Sequence, residues 1–225
     1  MTGPEHKCGV VGIAASYNVV PALQKSLMII QHRGQESAGI SVLADGMVST
    51  VKDNGLVQAA LSKEKIQNLD GNIGIGHVRY STTGSKGIMN AQPFVVTTGF
   101  GSVAVAHNGD IADYRSLRER YLNEGMMLQT DSDTEFATNL IVKSMARTGD
   151  PIKAMKTTMV ELDASFAMTI IIDNRLFGIR DAYGLRPLCI GRIDGGHILV
   201  SESAAIDALH GELIRDVKPG EVVEI

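Results

Sequence analysis

The chain has 225 residues, 44% of them hydrophobic, and a net charge of −4. This length is enough to bury a core of one large domain or two small ones. The mild charge, without any block of Lys and Arg, argues against nucleic acid or an anionic membrane surface as a partner. Apolar runs such as 167–172 are far too short to span a membrane. The N-terminal residues do not form a secretory signal and two cysteines make no disulfide framework, so a cytoplasmic location is expected.

The first half of the chain predicts strands interrupted by short helices. Small and β-branched residues over 8–16 are typical of a strand buried on both faces. Pro21 suits a helix start, and apolar residues at helical spacing continue that helix to Gln31. The remaining predicted elements are a hairpin of 39–43 and 47–52 around Asp45-Gly46, a helix over 58–68, a strand over 73–78, a loop over 80–91, and a hairpin of 94–98 and 102–107 across Gly99.

The second half predicts helices followed by strands. A charged amphipathic helix is expected over 113–123, and Ser132-Asp133-Thr134-Glu135 has the capping-box pattern of a second helix. Because strands and helices do not alternate regularly, the order favours one α+β domain whose antiparallel sheets are covered by helices. The buried stripe of the second helix is Phe136, Leu140 and Met145, and the later elements are a helix over 151–162, strands over 166–172, 175–181, 187–192 and 197–201, and a short helix over 204–210.

Cys8 opens the apolar run Cys8-Gly9-Val10-Val11-Gly12-Ile13, after only seven residues. If residues 1–7 were removed, Cys8 would carry both a thiol and a free α-amine. A thiol titrates near ~8.5 and an α-amine near ~7.7–8, so the amine can take the thiol proton and serve as the residue's own base. A Cys-His dyad with His32, His77 or His107 is a further possibility. The structural alternative is a small buried cysteine at the start of an edge strand.

Asn108 and Gly109 are candidates for an oxyanion hole. The segment 107–110 is expected to end a strand in a tight turn, since Asn-Gly is the strongest short hairpin signal. An Asn side-chain N–H and a neighbouring backbone N–H that point to one place can stabilise a tetrahedral acyl intermediate. A plain hairpin turn without catalytic function is the alternative interpretation.

Two charged residues complete a candidate ligand pocket. Arg79 follows an apolar strand and can bind a carboxylate with two parallel hydrogen bonds; its alternative is a surface ion pair. Asp133 lies in the first turn of a predicted helix, where the dipole favours a carboxylate in any case, and a ligand ammonium would be its functional partner. A thiol, an oxyanion hole, an Arg and an Asp together predict a pocket for an α-amino acid with a reactive side-chain carbonyl, and glutamine fits. The six histidines show no metal-binding spacing, so no metal is expected.

The set of motifs resembles the N-terminal-nucleophile (class II) glutamine amidotransferases. Arg33-Gly34-Gln35-Glu36 and Tyr80 stand where aminosugar-forming members have Arg-Gly-Tyr-Asp and Trp, which favours the purine-pathway branch. The matching motifs, in chain order, are Cys8-Gly9-Val10-Val11-Gly12-Ile13, His32-Arg33-Gly34-Gln35-Glu36-Ser37-Ala38-Gly39, Gly76-His77-Val78-Arg79-Tyr80-Ser81-Thr82-Thr83-Gly84, Ala106-His107-Asn108-Gly109, Ser132-Asp133-Thr134-Glu135, and Arg180-Asp181 with Gly184-Leu185-Arg186-Pro187-Leu188.

The resemblance implies a four-layer αββα fold, a leader over 1–7 that is removed to expose Cys8, and a glutaminase domain over 8–225. It implies thioester chemistry on glutamine, with hydrolysis to glutamate and ammonia and without a cofactor in this domain. The implied roles are Cys8 as nucleophile with its amine as base, Asn108 and Gly109 as oxyanion hole, Arg79 with Thr82 for the glutamine carboxylate, Asp133 for its ammonium, Tyr80 and His107 as pocket walls, and Arg33 as support of the cysteine loop.

The resemblance also implies a partner. Members of the purine-pathway branch continue into a phosphoribosyltransferase domain, whose paired acids and diphosphate loop do not occur in these 225 residues. The ammonia would therefore serve phosphoribosylamine synthesis in a domain or subunit absent from this chain, in an oligomeric assembly. The alternatives are a glutaminase for another ammonia acceptor and a non-catalytic partner or regulatory subunit that keeps its leader.

Overall fold

The computed structural model describes residues 8–80 and 87–225, so the predicted leader and Thr82 lie outside the described residues. Within those two ranges, twelve strands form two antiparallel sheets. A seven-stranded sheet has the order β11-β9-β10-β1-β4-β2-β3, and a five-stranded sheet has the order β12-β8-β7-β6-β5. The strands are β1 (Gly9–Ala15), β2 (Ser37–Ala44), β3 (Met47–Asn54), β4 (Ile73–Arg79), β5 (Phe94–Thr98), β6 (Gly101–Asp110), β7 (Ser165–Ile172), β8 (Arg175–Arg180), β9 (Cys189–Ile193), β10 (Gly196–Val200), β11 (Glu212–Asp216) and β12 (Val222–Glu224).

Seven α-helices occur in the same described residues, with 3₁₀ turns at Gln31–Arg33 and Ile88–Asn90. None of these helices is long and apolar enough to cross a membrane. The helices are α1 (Val20–Ile29), α2 (Val57–Ala60), α3 (Lys63–Ile66), α4 (Tyr114–Asn123), α5 (Asp133–Thr148), α6 (Pro151–Leu162) and α7 (Ala204–Ala208).

Three apolar clusters show how the layers stack. One cluster packs α1, α2 and α7 on the outer face of the seven-stranded sheet, and another packs α5 and α6 on the outer face of the five-stranded sheet. The third cluster lies between the two sheets. Because side chains alternate across a strand, Val11 of β1 faces the helices while Val10 faces the opposite sheet. The predicted α+β fold with antiparallel sheets covered by helices is confirmed, and its layers are α, β, β and α.

Most predicted elements occur close to their expected bounds. The hairpin of β2 and β3 turns at Asp45-Gly46, where both residues have positive φ, as a two-residue type I′ loop requires. The predicted helix over 58–68 is wrong, because the extended backbone of Ser62 separates α2 from α3. A serine side chain competes with helical backbone bonds, which favours this position between two short helices.

The predicted turn at 107–110 is also wrong. Strand β6 continues to Asp110, and Asn108 and Gly109 pair with Ala167 and Phe166 of β7. Pairing with a buried central strand therefore overrides the local turn preference of Asn-Gly. Strands β11 and β12 were not predicted, since β11 is exposed along its whole length and β12 has only three residues.

Candidate active site

A cavity of about 550 Å³ opens where β1 begins and where β4 and β6 end. Its lining includes six of the predicted site residues, together with Gln92 and residues of α4 such as Tyr114 and Arg118. Asn108 does not itself line the cavity but is fully buried between His107 and Gly109, which do, and Arg33 is buried behind Cys8. The six predicted residues that line the cavity are Cys8, Arg79, Tyr80, His107, Gly109 and Asp133.

The backbone of Cys8 is fixed by Arg33. The Cys8 N–H donates to the Arg33 carbonyl oxygen at 3.1 Å, and Arg33 Nε donates to the Cys8 carbonyl oxygen at 2.8 Å. Arg33 is 2% exposed, and its Nη1 donates to Glu202 Oε1 at 2.6 Å. Cys8 has a φ of 69°, a left-handed conformation that non-glycine residues adopt rarely. The buried Arg33 thus holds Cys8 in an unusual backbone conformation, which fits the predicted supporting role.

Burial raises the pKa of the Cys8 thiol to about 11, and the Asp133 carboxylate adds to this effect. The hydrogen bond from Sγ to the Tyr80 carbonyl oxygen, at 3.6 Å, and the positive charges of Arg79 and Arg33 oppose it. The thiol is therefore neutral at neutral pH and needs a base before it can attack a carbonyl. While residues 1–7 are attached, the nitrogen of Cys8 is an amide and cannot be that base.

The end of β6 presents the candidate oxyanion hole. Ala104 and Ala106 of β6 face the layer between the sheets, so alternation places the Asn108 side chain in the same layer. Asn108 is 0% exposed, yet neither its Oδ1 nor its Nδ2 has a hydrogen-bond partner among the described residues. Leaving a buried amide unpaired costs free energy, and an unpaired buried donor at a cavity is what an oxyanion would satisfy.

Gly109 offers its backbone N–H to the same end of the site. The N–H of His107 points away from β7, to Gln92 Oε1 at 2.7 Å. Backbone N–H groups alternate in direction along an antiparallel strand, so the N–H of Gly109 points to the same side as that of His107. A side chain at Gly109 would collide with the backbone of β7 and with the ring of His107. Glycine is therefore required at this position for close packing.

Asp133 and His107 form a pair at the start of α5. Asp133 is the first residue of the helix, after Ser132, whose hydroxyl caps it. Burial alone would raise the pKa of the Asp133 carboxyl, but the charge of His107 and hydrogen bonds from His107 and Thr134 outweigh it, so the pKa lies below its usual range. The His107 Nδ1 lies 3.7 Å from Asp133 Oδ1. Asp133 thus remains a carboxylate facing the cavity, as an ammonium partner would require.

Arg79 lies opposite Cys8, where the pairing of β1 with β4 ends. It is 7% exposed, and its Nη1 donates to Glu36 Oε1 at 2.8 Å. Arg79 is buried and Glu36 is partly buried, so this pair is not the exposed surface ion pair of the alternative interpretation. The described residues include no further hydrogen-bond partner of the Arg79 guanidinium. Tyr80 is half exposed beside it, and the predicted contribution of Thr82 lies outside the described residues.

The sixth motif lies outside the cavity and has a structural role. Asp181 is 0% exposed, and its carboxylate accepts the backbone N–H groups of Phe166, Tyr183 and Gly184. Arg180 donates to the carbonyl oxygens of three residues, which are Gly184, Arg186 and Val217. These two side chains fold the loop after β8.

The described residues contain no group of three or more His, Cys, Asp and Glu side chains that could hold a metal ion. Sequence reasoning gave no role to Glu36, Gln92 and Glu202, which the structure places near the site, and considered His77 only as a base for Cys8. Glu36 and Glu202 pair with the two buried arginines, and Gln92 and His77 bind the backbone of His107. Glu36 and His77 fall inside matched motifs, so their position was a signal, whereas Gln92 and Glu202 had none.

Comparison with known proteins identifies the family. The family described as "Glutamine amidotransferase domain" matches residues 77–208, more than half of the chain. The chain belongs to this glutamine amidotransferase family. The amidophosphoribosyltransferase of Archaeoglobus fulgidus is 47% identical over 97% of this chain and 48% of its own length. The chain therefore spans about half the length of the curated relatives it matches.

Solved structures agree with the family and with the fold. One is described as the allosteric regulatory enzyme of purine biosynthesis, with a TM-score of 0.89, 34% identity, and coverage of 97% of this chain and 47% of that one. Another is the glutamine phosphoribosylpyrophosphate amidotransferase from B. subtilis complexed with ADP and GMP, with a TM-score of 0.88, 33% identity and the same coverage. These similarities do not favour a non-catalytic protein.

Proposed function

We propose that the chain hydrolyses glutamine through a thioester on Cys8. The observation that carries this proposal is the single cavity that places Cys8 with an arginine, an aspartate carboxylate and the end of β6. Arg79 would bind the α-carboxylate of glutamine and Asp133 its α-ammonium. These opposite charges fix the two polar ends of an α-amino acid and direct its side-chain amide to Cys8.

The chemistry follows from the protonation of Cys8. Once residues 1–7 are removed, the free α-amine takes the thiol proton while Sγ attacks the glutamine carbonyl carbon, and Asn108 Nδ2 and the Gly109 N–H would stabilise the oxyanion. The ammonium returns the proton to the leaving nitrogen, so that ammonia departs and a thioester remains. Water then attacks the thioester with the amine as base, which releases glutamate and restores the thiol. Thr82 would help Arg79 to hold the carboxylate, Tyr80 and His107 would shape the pocket, and Arg33 would hold Cys8 in place.

The ammonia would serve phosphoribosylamine synthesis from phosphoribosyl pyrophosphate, the first step of de novo purine biosynthesis. The names of the relatives support this acceptor, since they are amidophosphoribosyltransferases of about twice this length. The partner would be a phosphoribosyltransferase domain or subunit, and the assembly an oligomer. We further propose a leader over 1–7, no cofactor in this domain, and a cytoplasmic location. Unpaired Cys8 and Cys189 support that location, although some plant relatives are named as chloroplastic.

The experiment is the intact mass of the purified protein, before and after treatment with the glutamine analogue diazo-oxo-norleucine. We expect loss of residues 1–7 and one covalent adduct, accompanied by glutamate release from glutamine. Cys8→Ala should form no adduct and release no glutamate. Cys189→Ala should still form the adduct and release glutamate, because Cys189 is buried and its thiol donates to the Val200 carbonyl oxygen. A processed wild-type protein that forms no adduct, or an active Cys8→Ala variant, would contradict the proposal.

A further inference from the structure

Two side chains bind the backbone of His107. Neither belongs to β5 or β7, the strands that flank β6 in its sheet. Strand β5 begins at Phe94, which pairs with Val105, so the ladder from β5 ends before it reaches His107. The N–H of His107 nevertheless donates to Gln92 Oε1 at 2.7 Å, and its carbonyl oxygen accepts from His77 Nε2 at 2.9 Å. A glutamine side chain thus replaces the backbone carbonyl that a longer β5 would supply.

Gln92 is itself held firmly. It is 5% exposed, and Lys52 Nζ donates to the carbonyl oxygens of its two chain neighbours, Ala91 at 2.6 Å and Pro93 at 3.3 Å. Gly39 packs against the Gln92 carbonyl so closely that a side chain at position 39 would collide with it. The orientation of the amide is also determined, because only its oxygen can accept the N–H of His107. Gln92 is therefore a fixed acceptor at the end of a sheet.

The residue that Gln92 binds, His107, immediately precedes the candidate oxyanion hole in the chain. The next two residues after His107 are Asn108 and Gly109, and Gly109 directs its N–H to the side on which Gln92 binds His107. If the His107 N–H lost its acceptor, this edge of β6 beyond Val105 would keep the bond from His77 to the His107 carbonyl oxygen but would lose the bond that holds its N–H. Displacement by even ~1 Å can cost about a hundredfold in rate.

We infer that Gln92 is a positioning residue, which extends the ladder of β5 through its side chain and so aligns the oxyanion donors Asn108 and Gly109. The inference rests on the proposed glutaminase function. It predicts that Gln92 acts mainly on the rate of the chemical step, because Gln92 binds the His107 backbone beside Asn108 and Gly109, whereas Arg79 lies on β4 and Asp133 contacts His107 through its ring.

The kinetic test compares Gln92→Met with Gln24→Met in the processed protein. Gln24 also makes a 2.7 Å side-chain bond to the backbone, from Nε2 to the Leu61 carbonyl oxygen, but it lies on α1 away from the cavity. For Gln92→Met we expect kcat per folded molecule to fall by roughly 10- to 100-fold, with KM for glutamine within about threefold of wild type. Gln24→Met should keep both constants. Unchanged kcat in Gln92→Met, or a rise in KM alone, would overturn the inference.

A second test does not depend on activity. Hydrogen exchange of the backbone amides over 105–110 should become at least tenfold faster in Gln92→Met, and Gln92→Glu should restore protection because a carboxylate oxygen also accepts the His107 N–H. Exchange in Gln92→Met at the wild-type rate would refute the positioning role even in a protein without glutaminase activity. Glutamate release by the wild type in the same preparation, absent in Cys8→Ala, separates failure of this inference from failure of the proposed function.

Discussion

The loop after β8 and the end of β6 both match family motifs, but their buried polar side chains differ in hydrogen bonding. In the loop after β8, the carboxylate of Asp181 and the guanidinium of Arg180 are satisfied by six backbone groups, three for each side chain. At the end of β6, the amide of Asn108 and the Nε2 of His107 are buried without a partner among the described residues. Since unpaired buried polar groups cost free energy, the first arrangement stabilises the fold, whereas the second does not, and our proposal assigns its unpaired atoms to a ligand.

Asn108→Ala should separate catalysis from stability most strongly. Loss of an oxyanion donor should lower kcat by roughly 10²- to 10³-fold. The free energy of unfolding should stay within about 1 kcal/mol of wild type, because the Asn108 amide has no hydrogen-bond partner within residues 8–80 and 87–225. Asn139→Ala, which loses a bond to the Glu135 carbonyl oxygen on α5, is the control and should keep kcat. Glutamate release and urea unfolding measure the two effects. An unchanged kcat in Asn108→Ala would return Asn108 to a structural role.

Asp181→Ala should give the reverse result. Three backbone N–H groups would lose a buried acceptor, so we expect the free energy of unfolding to fall by roughly 3 kcal/mol. The kcat per folded molecule should not change, since the loop does not line the cavity. Tyr183→Phe removes only the exposed bond from the tyrosine hydroxyl to Asp163 and should shift stability by less than about 0.5 kcal/mol. Equal urea midpoints for Asp181→Ala and wild type would break the comparison.

The same contrast explains what sequence could and could not predict. Hydrophobic patterns predicted the strands and helices, because the burial of alternate residues is local, and the order of these elements predicted antiparallel sheets. Local pattern failed at Asn108-Gly109, where pairing with β7 overrides a turn preference. Sequence reasoning also gave no role to Asp181, because motif membership does not say whether a carboxylate faces a cavity or three backbone amides. Gln92 had no signal at all, since its role depends on where β5 ends relative to β6. The functional roles of the site residues stay predictions.

His77 has one paired and one unpaired ring nitrogen, and its contribution to the free energy of unfolding should depend on pH. One nitrogen donates to the His107 carbonyl oxygen, while Nδ1 has no partner among the described residues. Burial, first of all, lowers the pKa of His77 to about 3, whereas an unfolded histidine titrates near ~6.5. Between these values the unfolded chain binds the extra proton, so stability is present above about pH 6.5 and is lost as pH falls toward 3. At pH 5 the loss should be roughly 2 kcal/mol, at 1.36 kcal/mol per unit.

Urea unfolding of wild type and His77→Gln between pH 7.5 and 5 measures this contribution. Glutamine can still donate to the His107 carbonyl oxygen but does not titrate, so the stability of the variant should fall less steeply with decreasing pH. His197→Gln, at an exposed position, should keep the wild-type slope. Parallel slopes for wild type and His77→Gln would show that His77 does not resist protonation in the folded protein.

Asp133→Asn should give the smallest effect, on glutamine binding. The carboxylate is held in its charged form beside His107 and faces the cavity, and an amide would keep its size but lose its charge. Loss of one charge-assisted hydrogen bond to the glutamine ammonium should raise KM by about tenfold, or ~1.4 kcal/mol, with a smaller change in kcat. Asp150→Asn is the matched control, because Asp150 precedes α6 as a helix cap and lies away from the cavity. If both variants keep the wild-type KM, Asp133 belongs with Asp181 as a residue that serves the fold alone.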